Sequence, residues 1–413
     1  MPPTKNDIPL LFTTRIIRLF AYGFLSVALA LYLAQIGLSD PEVGLLLTLT
    51  LVGDVPVTLW ITTSADRIGR KRMLLLGAAL MMLAGLVFAF THSFVLLVVT
   101  AIIGVISPSG NEIGPFLSIE QAGLTQLIPD TRRTSVFAWY NLVGSFATAT
   151  GSLASGGLVQ ALQGSGMSVV ASYQVVLLGY AMFGFVLAIL FAFLSPGVEA
   201  PAPSTATIRS RLGLHKSQKV VLRLASLFAL DAFAGGFVVQ SIMAYWFSVK
   251  FGVAPGVLGS IFFGANILAG ISALLAARIA RKIGLIRTMV FTHVPSNILL
   301  MMVPLMPTLP LAIGVLLARF SISQMDVPTR QSYTMAVVDP DERSAASGVT
   351  SIARSVGAAI SPSLTGLILT VPALIGLPFI LSGGLKLIYD MLMYRSFQAV
   401  RPPEERAIPA ASK

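Results

Sequence analysis

Residues 62–74 read TTSADRIGRKRML and hold five charged side chains within the seven positions from Asp66 to Arg72. This polar stretch lies between two apolar runs, residues 42–64 and 73–91. Each run is long enough to cross a bilayer as a helix, since about 20 mostly apolar residues suffice. A weaker copy, ARKIG, begins at Ala280. The stretch therefore predicts a short charged loop between two membrane-spanning helices, and its copy indicates an internal repeat.

Apolar residues dominate the composition. Of 413 residues, 55% are hydrophobic and 11% are charged, whereas soluble domains carry about 25% charged residues. The mean hydropathy is +0.85, so an integral, all-α membrane protein is predicted. The absence of cysteine excludes disulfides and thiolate metal sites, and three scattered histidines (His92, His215 and His293) argue against a zinc centre. The net charge of +11 forms no basic stripe interleaved with aromatic residues, so no nucleic-acid partner is expected.

Twelve apolar runs are predicted to span the membrane. They cover residues 10–36, 42–64, 73–91, 94–121, 135–160, 169–195, 222–248, 255–279, 286–304, 308–334, 345–371 and 373–396. Basic residues concentrate in the loops after even-numbered spans, while the loops after odd-numbered spans hold one, Lys250. Because cytoplasmic loops carry the excess of Lys and Arg, both termini are predicted to be cytoplasmic. We expect a multi-pass protein of the cell membrane (inner or plasma membrane).

The two halves of the chain repeat. Gly44 recurs 215 positions later as Gly259, and Gly156 recurs 210 positions later as Gly366. Matches that keep their order while the offset drifts slowly indicate duplication of a six-span unit, whose copies are related by an axis along the membrane normal. The predicted domains are an N-terminal six-helix bundle (1–195), a proline-containing cytoplasmic linker (196–220), and a C-terminal six-helix bundle with a short cytoplasmic tail (221–413).

This arrangement resembles the major facilitator superfamily. The loop after span 2 is similar to that family's signature Gly-x-Leu-Ala-Asp-Arg-x-Gly-Arg-Lys-x-x-Leu, with Thr62 and Ser64 in place of the glycine and the leucine. The resemblance implies two pseudosymmetric six-helix bundles that move a substrate by alternating access. Span 5 matches the family's antiporter motif Gly-Pro-x-x-Gly-Gly only in part, because residues 151–156 read GSLASG. The direction of transport therefore stays open.

Ionisable residues within the spans are candidate site residues, because each costs at least about 2.5–3.5 kcal/mol in hydrocarbon. Apart from residues at the span ends these are five acids and five arginines: Asp54, Glu112, Glu120, Asp231, Asp326, Arg15, Arg18, Arg319, Arg330 and Arg354. Glu120 also lies near a span end but is included because its repeat position is charged. Lys386 and Asp390 are four positions apart on one helix, so a local ion pair is expected there. His293 is expected to be peripheral.

Superposing the repeats places Arg18 opposite Asp231 and Glu120 opposite Arg330. One hypothesis is that these residues form ion pairs between the two halves, made and broken during transport. The alternative is that each residue pairs within its own half and holds helices together.

Two spans are predicted to be interrupted. Span 4 contains SPSGNEIGP at residues 107–115, and span 10 contains DVP at residues 326–328. Proline and glycine weaken helices, and interrupted helices in transporters often mark the binding site. Asn111, Glu112 and Asp326 are therefore candidate site residues, and Tyr22 is a candidate cavity-lining residue. Asp231 and Glu112 are the first candidates for a proton-binding carboxyl group, with Asp54 as a further one.

The signature loop has a mechanical role by resemblance. Asp66 would cap the N-terminus of span 11, where a carboxylate meets unpaired amides and the positive end of the helix dipole. Arg67 and Arg70, together with Gly69 of the motif, would complete an inter-half charge relay that acts as a latch on the outward-facing state of the transporter.

The function predicted from these features is secondary active transport of a small organic molecule, with protons as the coupling ion. Export by antiport is the first choice, because the chain resembles the drug:proton antiporter groups of the family. Uptake or exchange of an organic anion is the alternative, and a non-transporting membrane sensor or scaffold is a third interpretation. The sequence contains no phosphate-binding Gly-x-x-x-x-Gly-Lys-Ser/Thr loop and no hydrolase motif. We expect no enzyme activity and no cofactor, with a monomer in the lipid bilayer as the functional form.

Overall fold

The computed structural model describes residues 7–112, 114–128, 130–199, 216–339 and 342–398, without the side chains of residues 66, 130–135, 138 and 343–345. Within these residues the secondary structure is entirely helical, which agrees with the all-α prediction. The α-helices are α1 (Asp7–Gln35), α2 (Asp40–Ile68), α3 (Arg70–Phe90), α4 (Phe94–Ile103), α5 (Phe116–Leu127), α6 (Asp130–Gly164), α7 (Val169–Ala192), α8 (Gln218–Gly236), α9 (Gln240–Phe251), α10 (Pro255–Ile283), α11 (Leu285–Met302), α12 (Leu309–Phe320), α13 (Asp326–Ala336), α14 (Arg343–Leu369) and α15 (Leu377–Phe397).

Ten helical segments of the described chain are long and apolar enough to cross a membrane. They correspond to predicted spans 1–3, 5–9, 11 and 12, where α8 and α9 together form span 7. The remaining two predicted spans, 4 and 10, are divided into α4 with α5 and α12 with α13. The protein is therefore a multi-pass membrane protein, while a total of twelve crossings and the cytoplasmic location of both termini remain predictions.

The interruption of span 4 lies where the sequence predicts it. α4 ends at Ile103 and α5 begins at Phe116. Between them Gly110 and Gly114 have φ angles of +70° and +79°, which residues with a Cβ rarely adopt. The irregular segment therefore depends on glycine at these two positions, and it carries Asn111 and Glu112 away from a regular helical face.

Span 10 is also interrupted, but immediately before residues 326–328, where the sequence predicts the break. α12 ends at Phe320, and Asp326 is the first residue of α13. Pro328 lies in the first turn of α13, where the missing N–H has no intrahelical partner to lose. The proline is thus compatible with the start of a helix, and the break occupies residues 321–325.

Span 7 has an interruption that the sequence analysis did not predict. α8 ends at Gly236 and α9 begins at Gln240. A Cβ at Gly236 would lie 2.5 Å from the carbonyl oxygen of Ala358, a distance that folded proteins do not tolerate. Glycine is therefore required by the close approach of α14, and a second glycine before it weakens the helix further.

The chain divides into two compact units. Unit 1 comprises Met1–Thr205, Val239–Ile267 and Pro362–Val371, and unit 2 comprises Ala206–Val238, Leu268–Ser361 and Pro372–Lys413. Unit 1 therefore contains α9, the first part of α10 and the end of α14 in addition to α1–α7. The division into bundles 1–195 and 221–413 stays a prediction, because this packing assigns segments of the second half to unit 1.

Candidate functional site

Unit 1 contains a buried ionic cluster built on α1. The guanidinium group of Arg18 donates from both Nη atoms to the two carboxylate oxygens of Glu120, each at 2.7 Å, and from Nε to Glu112 Oε1 at 2.9 Å. Arg15, three residues earlier on the same helical face, forms an ion pair with Glu112. Arg18 and Glu120 are both fully shielded from solvent. Two arginines and two glutamates thus balance one another.

Two neutral hydroxyl groups complete the hydrogen bonding of the Glu120 carboxylate. Thr14 Oγ1 donates to Glu120 Oε1 at 2.8 Å, and the hydroxyl of Tyr140 donates to Oε2. Tyr140 also lies under the guanidinium of Arg15, 4.6 Å from its ring centroid. A buried ion pair contributes to stability only when its remaining hydrogen-bonding groups are satisfied, and here four donors meet one carboxylate.

Unit 2 contains a second cluster, centred on Asp231 of α8. Its Oδ1 accepts from Lys386 Nζ at 2.6 Å, and its Oδ2 accepts from Arg354 at 3.0 Å and from Arg330 at 3.2 Å. Arg330 also donates to Asp326 at 2.8 Å, within one turn of α13. Asp231 is only 3% exposed, so one buried carboxylate is shared by three cations.

The expected pair between Lys386 and Asp390 is wrong. Lys386 bonds to Asp231, while Asp390 accepts from Asn297 Nδ2 at 3.0 Å and lies 2.8 Å from His293 Nδ1. His293 is 5% exposed, so the expectation of a peripheral histidine is also wrong. Helical spacing alone permits a pair four residues apart, but the carboxylate of Asp231 on a neighbouring helix gives Lys386 a closer partner inside the bundle.

The two clusters are repeat images of each other with the charges reversed. Arg18 and Glu120 pair in unit 1, and the positions that match them, Asp231 and Arg330, pair in unit 2. The hypothesis that these four residues pair between the halves is not what this structure shows, because each partner lies in the same unit. The alternative, pairing within a half, is the arrangement observed.

The other predicted site residues lie apart from these ion pairs. Tyr22 is fully buried with its ring centroid 6.5 Å from that of Tyr180. Asp54 is half-buried and accepts from Thr58 Oγ1 at 3.1 Å. Asn111 is exposed, in the irregular segment between α4 and α5. Arg319, at the end of α12, has a buried Nε with no hydrogen-bond partner among the described residues.

The signature loop is held by the segment that follows α7. Glu199 accepts from the backbone N–H of Arg70 at 2.6 Å and from that of Lys71 at 3.2 Å, so its carboxylate caps the N-terminus of α3. The side chain of Arg70 donates to the carbonyl of Val198 at 3.1 Å. Gly69 adopts φ +117° at this junction, and Arg67 is exposed. These contacts lie within unit 1.

The side chain of Asp66 is outside the described residues. The inter-half latch remains a prediction for all four of its residues, Asp66, Arg67, Gly69 and Arg70. The role of Glu199 was not predicted, and its position 129 residues after Arg70 explains why no local pattern indicates it.

Unit 1 also contains contacts between segments from the two sequence halves. Gln240 Nε2, at the start of α9, donates to Ser26 Oγ at 2.8 Å and to Ser152 Oγ at 3.1 Å. Ser241 Oγ lies 2.8 Å from the carbonyl oxygen of Ser26 and 2.6 Å from that of Pro108, and its single proton can be donated to either of them. The break in span 7, which was not predicted, thus lets the first residues of α9 form hydrogen bonds with α1, α6 and the irregular part of span 4.

In unit 1, two pairs of helices cross so closely that only glycine fits at the contact. A Cβ at Gly44 would lie 2.9 Å from Gly366 Cα, and a Cβ at Gly259 would lie 3.1 Å from Gly156 Cα. These are the glycines that the repeat pairs by sequence, Gly44 with Gly259 and Gly156 with Gly366. The two crossings therefore correspond to each other, because glycines that match in the sequence repeat occupy matching positions in the two helix pairs.

Comparisons with known proteins agree with this architecture. The Major Facilitator Superfamily profile matches residues 11–362 and again residues 251–413. The Saccharomyces cerevisiae protein described as "uncharacterized membrane protein YJR124C" is 32% identical over 426 residues, which covers 96% of this chain and 95% of that protein.

Two solved structures share the fold at low sequence identity. A mutant of the nucleoside transporter NupG has a TM-score of 0.74 and 12% identity, covering 95% of this chain and 100% of that one. A D-xylose–proton symporter has a TM-score of 0.72 and 14% identity, covering 94% and 97%. The helical membrane architecture, the repeat and the profile match lead to one conclusion: the chain belongs to the major facilitator superfamily and has the fold of its secondary transporters.

Proposed function

We propose that the protein is a proton-coupled secondary transporter that moves a small organic anion by alternating access. The observation that carries the choice of an anion is the charge balance in the interior of unit 2. Among the described residues of α8 and α11–α15, three buried carboxylates (Asp231, Asp326 and Asp390) are accompanied by four basic side chains, of which Arg330 and Lys386 are buried and Arg319 and Arg354 are partly exposed. An anionic substrate would supply the missing negative charge.

Arg319 and Arg354 are the cations with donors to spare. The buried Nε of Arg319 has no hydrogen-bond partner among the described residues. Arg354 bonds to the shared Asp231, and its side chain is 35% exposed. The planar guanidinium group presents paired N–H donors that match a carboxylate or phosphate. We therefore assign these two arginines as the substrate-binding residues of unit 2.

Alternating access requires contacts that form in one state and separate in the other. The two glycine crossings lie near the predicted extracellular ends of their spans, and the hydrogen bonds of α9 to Ser26 and Ser152 lie in the extracellular half of theirs. These contacts join segments from both sequence halves through small residues and single hydrogen bonds, and such contacts can open without stranding a charge. They are our candidate extracellular gate.

Export in exchange for protons is the second candidate, and Asp54 is the observation that favours it. This residue lies in the interior of α2, and its hydrogen bonds come from Thr58 Oγ1 and the backbone N–H of Gly114 rather than from a cation. A carboxyl group without a counter-ion can exchange a proton for a cationic substrate. The first-ranked carboxylates, Asp231 and Glu112, are instead each bonded to two or more cations, whose charges would be left uncompensated by protonation.

A thermal-shift screen of the purified protein tests both candidates, since a ligand that binds only the folded state raises the melting temperature. Benzoate, succinate and glycerol 3-phosphate serve as anionic probes, and tetraphenylphosphonium serves as the cationic probe. Stabilisation by an anion that is lost in Arg319→Gln and Arg354→Gln supports the proposal. Arg223→Gln is the matched control, because it removes the same charge from an exposed position of α8. Stabilisation by the cation alone, lost in Asp54→Asn, would replace the proposal with the second candidate.

A further inference from the structure

His293 lies between two buried carboxylates in unit 2. Its Nδ1 is 2.8 Å from Asp390 Oδ1, and its Nε2 is 3.9 Å from Asp231 Oδ1. The imidazole is 5% exposed, and the two carboxylates are 1% and 3% exposed. The histidine therefore connects the cation-rich cluster at Asp231 with a carboxylate on α15 that belongs to no other ion pair among the described residues.

With Asp390 ionised, the contact at Nδ1 assigns the tautomer of the neutral imidazole. An ionised carboxylate is an acceptor only, so Asp390 requires the proton of the neutral imidazole on Nδ1. Asn297 Nδ2 donates to the other oxygen of Asp390 and holds that carboxylate in place. The lone pair of Nε2 then faces Asp231 Oδ1. A proton added to Nε2 would turn this unfavourable contact into a charge-assisted hydrogen bond after a small approach of the two groups.

Asp231 Oδ1 already accepts from Lys386 Nζ at 2.6 Å. A protonated His293 would therefore compete with Lys386 for one oxygen, and Arg330 and Arg354 occupy the other. The charged and titratable groups that face the imidazole are Asp231 (α8) and Tyr389 and Asp390 (α15). Arg330 (α13), Arg354 (α14) and Lys386 (α15) bond to Asp231, and Asp326 (α13) pairs with Arg330. Arg319 (α12) interacts with Asp326.

Further polar atoms accompany this pair of helices. Among the described residues, Ser296 Oγ and Asn297 Oδ1 on α11 and Ser382 Oγ on α15 are buried without a hydrogen-bond partner. Buried polar groups are normally paired with protein or ordered water. The packing of α11 against α15 therefore contains buried polar atoms in addition to those of His293 and Asp390.

We propose that His293 is the proton-binding residue of this transporter. Asp390 holds the imidazole in position, and Asp231 accepts a hydrogen bond from the proton added to Nε2. The proposal rests on the proposed function for its substrate. Protonation adds one positive charge to a cluster that already has more cations than carboxylates, so proton binding and anion binding favour each other, and linkage makes this effect reciprocal. Proton and anion would therefore cross together, as in symport, and the anion would be released when the proton leaves Nε2.

The protonation state can be observed without knowing the substrate. The chain has three histidines; His92 is exposed in the loop after α3, and His215 lies outside the described residues. The variant His92→Gln/His215→Gln leaves His293 as the sole histidine, so one set of imidazole NMR signals is observed in nanodiscs. We expect these signals to shift when the ring binds a proton, and signals that stay constant from pH 5 to pH 8.5 would overturn the proposal.

The pH dependence of anion binding tests whether proton binding and anion binding are coupled. For benzoate, succinate or glycerol 3-phosphate, whichever stabilises the protein, we expect tighter binding at pH 6 than at pH 8 by about 5- to 150-fold, the usual range for coupled sites. This ratio should fall to near one in His293→Gln and persist in His92→Gln. A ratio that survives in His293→Gln would show that another group carries the proton.

The two proposals fail separately. If no anion binds while the histidine titrates, the anionic substrate is wrong and the proton site stands. If an anion binds and the histidine does not titrate, the proton site is wrong and the substrate class stands. Because the NMR measurement leaves His293 and its carboxylate neighbours unaltered, failure of a mutant to fold does not affect this decision.

Discussion

Replacing Gly156 with alanine tests the close crossing of α6 and α10 in unit 1. The new Cβ would lie 2.2 Å from the carbonyl oxygen of Pro255 and 2.8 Å from Gly259 Cα. Both contacts are with backbone, which cannot rotate away, so the two helices must separate. Overpacking of this kind costs about 1–3 kcal/mol. At 1.4 kcal/mol for each factor of ten, we expect the closed crossing to lose about 5- to 140-fold in population.

Gly157→Ala is the matched control. The neighbouring glycine would gain the same methyl group with nothing within 4 Å of it. Both variants also gain the same helix propensity, about 0.8–1 kcal/mol. The difference between them therefore isolates the steric effect at the crossing.

The crossing can be followed with one introduced thiol, because the chain contains no cysteine. Ser152 is fully buried, and its carbonyl oxygen would lie 2.8 Å from a Cβ at Gly259. In a Ser152→Cys background, a membrane-impermeant maleimide should react slowly with the parent and with Gly157→Ala. The reaction should accelerate with Gly156→Ala in proportion to the opened population. Equal labelling rates and equal melting temperatures for the two alanine variants would refute the close crossing.

Three further perturbations probe the ionic contacts. Arg18→Met should lower the free energy of unfolding by about 3–5 kcal/mol by stranding a buried carboxylate, whereas Arg18→Met/Glu120→Met should lose far less; additive losses in chemical unfolding would exclude the pair. Glu199→Gln should lower stability by about 0.3–1 kcal/mol through loss of a negative charge at the N-terminus of α3, and an unchanged unfolding midpoint would contradict that cap. Asp54→Asn should change stability by less than about 1 kcal/mol, as expected away from any ion pair, and a loss of several kcal/mol would reveal a counter-ion.

Local pattern predicted the elements well wherever a short range of sequence decides them. The apolar runs have the length of membrane-spanning helices, and ten of the described segments agree with them. The break in span 4 was predictable because glycine and proline act on their own backbone. The break in span 7 was not, because Gly236 is required by the carbonyl of Ala358, more than 120 positions away.

The candidate site was predictable in its residues and only partly in its pairings. Arg18, Glu120, Asp231 and Arg330 stand out because a charge within an apolar run needs a partner. The repeat placed them at matching positions, but matching positions do not say whether partners lie in the same unit. A single histidine on an apolar helix forms no sequence pattern that indicates a site. The contacts of His293 with Asp231 and Asp390 arise only when three helices pack together.

The amino-acid sequence by itself determined the apolar segments that can span a membrane, the glycines and charges at matching repeat positions, and the family resemblance, since each depends on composition or spacing along the chain. The tertiary structure alone decided which charges meet, which glycines close a crossing, and that Glu199 caps the signature loop. These depend on distances of a few ångströms between residues far apart in sequence. Hydropathy and periodicity carry no information about such distances, and the free energy of a buried charge depends on the partner that packing brings to it.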